Sequence, residues 1–71
     1  MEKIKIIFTK ETNTLDIWFD DPKKEWVCEE TGEDIILKKD KQGIVIGIEK
    51  LHASSRIKKQ VTELPMELIM R

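Results

Sequence analysis

Seventy-one residues with a formal net charge of −1 describe one small domain, residues 1–71, whose single core is only marginally able to hold itself together. A lone cysteine excludes an internal disulfide, and one Cys with one His is too few for a structural zinc site, so neither a staple nor a metal or other cofactor is expected. No stretch approaches the roughly 20 apolar residues of a membrane span, and Met1 to Lys5 contains no signal-peptide core, which predicts a cytoplasmic protein.

The charge is unevenly spread. Residues 1–10 carry +2, residues 11–34 carry −7 from nine acids against two lysines, and residues 35–71 carry +4. Such polarity can orient a partner, and it argues against a dedicated nucleic-acid surface, which would make the whole domain basic.

Lys3 to Phe8 alternates, with Ile4, Ile6 and Phe8 on one side, the period of a half-buried strand. Residues 9–14 are all polar and include Asn13, which tolerates left-handed turn geometry, so a hairpin turns there. Leu15 to Asp20 alternates again, and Asp21-Pro22-Lys23-Lys24 interrupts it because proline cannot donate a ladder hydrogen bond. Trp26 to Glu30 gives a weaker strand signal, Thr31-Gly32-Glu33 a turn, and Asp34 to Lys39 a fourth strand. Lys39 to Gly43 has the pattern of a type I turn closed by a left-handed glycine. Ile44 to Leu51 is the last strand, and Gly47 within it predicts a bulge or a group lying close against the backbone.

After His52 the apolar period moves toward 3.6. Ala53, Ile57, Val61 and Leu64 share one face and Arg56, Lys58 and Lys59 the other, with Ser54 or Ser55 able to cap the helix. Pro65 ends it, and Met66, Ile69 and Met70 at i, i+3, i+4 predict a short final helical segment that must lie on something. The expected fold is α+β: an antiparallel meander of about five strands followed by a C-terminal helix packed on one sheet face. Ile7, Trp18, Ile36 and Val45 are left for the opposite face, an apolar patch of the kind that marks an interface.

The segments Phe8 to Phe19 and Gly43 to Ser54, above all Gly47-Ile48-Glu49 with Leu51 and Ala53-Ser54, resemble the domain of unknown function 2283 family. The likeness runs from residue 3 to about residue 57. It implies a small bacterial or archaeal cytoplasmic α+β domain with no assigned catalytic residues. Some members of that family are encoded beside another small protein, which implies as a second reading an antitoxin-like regulator that binds a small partner toxin and contacts DNA.

His52 with Ser54, Ser55 and Glu49 has the residue types of a nucleophile–base arrangement, but no nucleophile elbow accompanies them, so the serines are read as caps and the chain as no enzyme. The acid pairs match no calcium loop. Cys28 has no cation beside it in sequence to activate it. Trp18 and Trp26 are the expected partner contacts, since tryptophan concentrates at the energetic centres of interfaces. Glu49 is expected to pair with a Lys or Arg at such an interface. The functional reading is a protein-interaction module, a homodimer formed through the Trp18 face or through Met66, Ile69 and Met70, with a small protein as a further partner.

Overall fold

A computed structural model describes residues 3–54 and 64–71. Five strands, β1 (Lys5–Thr9), β2 (Thr14–Trp18), β3 (Val27–Gly32), β4 (Ile35–Lys39) and β5 (Val45–Lys50), form one antiparallel sheet in the order β1-β2-β5-β4-β3. A 3-10 turn, Pro22–Lys24, lies in the connection from β2 to β3.

That order corrects the expected meander. β3, β4 and β5 are joined by tight turns, but the chain leaves β2 for the far edge and returns inward until β5 pairs with β2, a Greek-key arrangement. Asp21 makes the departure possible. Its side chain accepts from the Lys23 N–H at 2.9 Å and starts the 3-10 turn at Pro22, so the chain bends away instead of folding straight back.

The α+β assignment is also corrected. Among the described residues there is no α-helix, only the sheet and the 3-10 turn. Most of the expected helix, including Ile57, Val61 and the Arg56, Lys58 and Lys59 face, lies outside the described residues. Its described flanks are not helical, because the chain after β5 is tied elsewhere: Ala53 N–H donates to the Asn13 carbonyl at 2.9 Å and Ser54 N–H to Asn13 Oδ1 at 3.2 Å. Residues 64–71 have no regular structure either. Leu64, Met66, Leu68 and Met70 alternate along this tail, a period-2 pattern in the sequence that competes with the helical spacing of Met66, Ile69 and Met70.

The turns follow from local chemistry. Asp40 Oδ1 accepts from the Gln42 and Ile44 N–H groups, its carbonyl accepts from Gly43, and Gly43 takes φ +83, closing the β4–β5 hairpin as the residue pattern predicts. Asn13 occupies φ +54 between β1 and β2. The β3–β4 turn falls on Glu33 and Asp34, both at positive φ, after a bulge between Glu30 and Gly32.

Register sorts the side chains onto two faces. One carries the cross-strand rows Ile6–Ile17–Ile48–Leu37 and Phe8–Leu15–Lys50–Ile35. The other carries Lys5–Trp18–Gly47–Lys38–Cys28 and Ile7–Asp16–Glu49–Ile36–Glu30. Trp18 and Ile46, 8% and 2% exposed, are the buried apolar side chains among the described residues.

The indole of Trp18 lies flat against Gly47. A Cβ on Gly47 would stand 2.7 and 2.9 Å from two ring carbons and 3.2 Å from the Ile17 carbonyl oxygen. A methyl group there must push a rigid ring off the sheet, so Gly47→Ala should cost about 1–3 kcal/mol. Each kcal/mol should lower the melting midpoint by roughly 4–8 °C in a domain of this size. In a Trp18→Leu background the same alanine should cost little, a coupling that a double-mutant cycle in urea measures directly.

Candidate functional site: a lysine held among carboxylates

Alternation places Asp16 on β2, Glu49 on β5, Lys38 on β4 and Cys28 on β3 on the face that carries Trp18, and register brings them side by side. Lys38 Nζ stands 3.0 Å from Glu49 Oε1, 3.8 Å from Glu25 Oε2 and 3.5 Å from Cys28 Sγ. Cys28 Sγ in turn donates to Glu25 Oε2 at 2.8 Å. Glu25 reaches the cluster from the segment that follows the 3-10 turn.

The protonation states follow from this geometry. Burial alone would lower the Lys38 ammonium, but the hydrogen bond and charge of Glu49, with Glu25 behind it, outweigh burial and hold Lys38 above its usual range. The Cys28 thiol is pushed up, first by its hydrogen bond to Glu25 and then by desolvation, with Lys38 opposing. Asp16 is raised by burial and by Glu49. Lys38 is therefore a fixed cation and Cys28 a neutral thiol. The raised thiol makes Cys28 no activated nucleophile, and among the described residues no His, Cys, Asp and Glu set is arranged to hold a metal.

Sequence reading missed the Lys38–Cys28 approach because the two residues meet only through β3–β4 pairing. No local signal could have found it. Glu49 does pair with a lysine, but within its own chain.

A second group of polar residues gathers at the end of the sheet. His52, at φ +51, places Nδ1 3.0 Å from Asp34 Oδ2, and both side chains face solvent. An exposed pair of this kind contributes at most about 1 kcal/mol. The Ser54 backbone donates to Asn13, Glu49 pairs with Lys38 and His52 with Asp34, and Ser55 lies outside the described residues.

The two tryptophans part company. Trp18 is covered by its own chain, whereas Trp26 is 63% exposed, with Lys41 Nζ 4.6 Å above its ring. Met66, Ile69 and Met70 are exposed on the tail. No helix among the described residues is long and apolar enough to cross a membrane.

These features define a small single-sheet β domain with a charged cluster on one face. The chain belongs to the family described as "Protein of unknown function (DUF2283)", whose profile matches residues 5–54, the whole sheet and the turn after it. No curated protein and no solved structure matches it.

Asp16 gives the cluster a pH signature. Its carboxyl sits above the ordinary 3.8, so the folded chain holds that proton more tightly than the unfolded chain. Ionised Asp16 thus weakens the fold at neutral pH, and the penalty fades as pH falls through the raised value toward 3.8. Asp16→Asn should raise the urea midpoint at pH 7, with a gain that shrinks as the solution is acidified. Cys28, although exposed, should react with iodoacetamide at pH 8 several-fold more slowly than a free thiol, and Glu25→Gln should speed it.

Proposed function

We propose that this chain is a self-associating protein-interaction module, and that the C-terminal tail of one copy lies on the apolar sheet face of another. One observation carries the reading: the tail holds Leu68 at 87% and Met70 at 89% exposure, with Met66 and Ile69 also exposed, while Ile4, Ile6 and Phe19 are exposed at the sheet. Large apolar side chains in water on both the C-terminal tail and the sheet mark surfaces that meet a partner. The alternation of Leu64, Met66, Leu68 and Met70 suits an extended peptide laid on a β surface. The Trp18 side of the sheet contributes less, because that indole already packs on Gly47.

Light scattering on the full chain should give twice the monomer mass at micromolar concentration. Leu68→Asp with Met70→Asp should weaken association by about tenfold or more, since apolar anchors dominate interfaces, and leave the β-sheet circular dichroism unchanged. A wild-type mass of one chain at every concentration tested would sink the proposal.

A further inference from the structure

The connection from β2 to β3 and the β4–β5 turn face each other across an open cleft of about 520 Å³ that the interaction reading does not use. Trp26 forms one wall, anchored by its backbone N–H donating to the Lys39 carbonyl at 2.7 Å. Lys23 and Lys24 come from the 3-10 turn and Lys41 from the hairpin. The two acids of the lining are engaged elsewhere. Asp40 Oδ1 accepts from two backbone N–H groups, and Glu25 Oε2 accepts from Cys28 and lies near Lys38. Lys24 pairs with Asp20 at 3.3 Å. Among the described residues, by contrast, no carboxylate lies within ion-pair distance of Lys23 or Lys41.

An exposed indole flanked by two ammonium groups that no carboxylate of the described residues pairs is chemistry for a flat ring that carries a negative charge. Bases stack on an exposed aromatic face regardless of their identity, because each has a flat π-face, and lysine amines hold phosphate as point charges. The volume lies within the range of small-molecule sites. Lys41 already covers one side of the indole, so a ring would stack on the other or displace the amine.

We propose that this cleft binds a nucleoside phosphate, with the base on Trp26 and the phosphate between Lys23 and Lys41. The ligand could arrive as a free nucleotide or as one unit of a single strand, and the test separates these sources. In ¹⁵N-labelled full-length protein, the Trp26 indole N–H and the Lys23 and Lys41 amides are followed while adenosine monophosphate, adenosine, inorganic phosphate or a short oligothymidylate is added. Saturable shifts with the mononucleotide, weaker with adenosine or phosphate alone, support a free nucleotide. Shifts with the oligonucleotide only support the strand source. The double variant Lys23→Ala/Lys41→Ala should weaken binding by about tenfold or more, the worth of charge-assisted contacts, and should keep its β-sheet circular dichroism, since both residues lie outside the five strands. Absence of saturable shifts up to about 10 mM for either probe, an affinity too weak to count as a site, overturns the proposal, as does undiminished binding by the double variant. Self-association is read independently by mass, so either proposal can fail without the other.

Discussion

The sheet depends on one contact, the indole of Trp18 laid on the bare backbone of Gly47. These residues are cross-strand partners in the β2–β5 pair, the junction where the β1–β2 hairpin meets the β3–β4–β5 unit. Any side chain on Gly47 would hold the ring off the strand and loosen the one seam that joins the two halves. The Phe19 N–H donating to the Ile46 carbonyl at 2.8 Å continues that seam beyond the last paired residue of β2.

Around this contact the face is polar and its charges are unbalanced: Asp16, Glu49 and Glu25 share Lys38. Removing one partner of such a half-buried group costs more than the pair contributes when intact, because the remaining charges stay desolvated. The cluster therefore acts on register. Lys38 can meet Glu49 only if β4 and β5 are paired as they are, and a slip of one residue between the two strands would put the two side chains on opposite faces. The neutral Cys28 thiol belongs to the same arrangement and does not supply a nucleophile.

Among the described residues, nothing covers either face in the way a second layer covers a sheet. Little is fully buried among the described residues, and the apolar surface continues onto a tail that lies in solvent. A domain of this size buries a small fraction of its surface on folding, so a second molecule on that surface would add burial the chain lacks. The two edge strands are kept from indiscriminate pairing by charge, lysine on β1 and glutamates with a bulge on β3.

Much of the local structure was determined by the sequence itself: five period-2 strands, the Asp40–Gly43 turn and the left-handed Asn13 all rest on chemistry within a few residues. Glu49 was legible as a group seeking a cation, and Gly47 as a place where a bulge forms or something lies close against the backbone, but that the something is Trp18 was not. The strand order, the burial of one tryptophan and exposure of the other, and the meeting of Lys38 with Cys28 were decided by tertiary structure. Each depends on which strands pair across many residues, and pairing of that range is set by register and packing over the whole sheet. The chain beyond β5 shows the same division, since its helical spacing competes with hydrogen bonds to Asn13 that no local pattern announces.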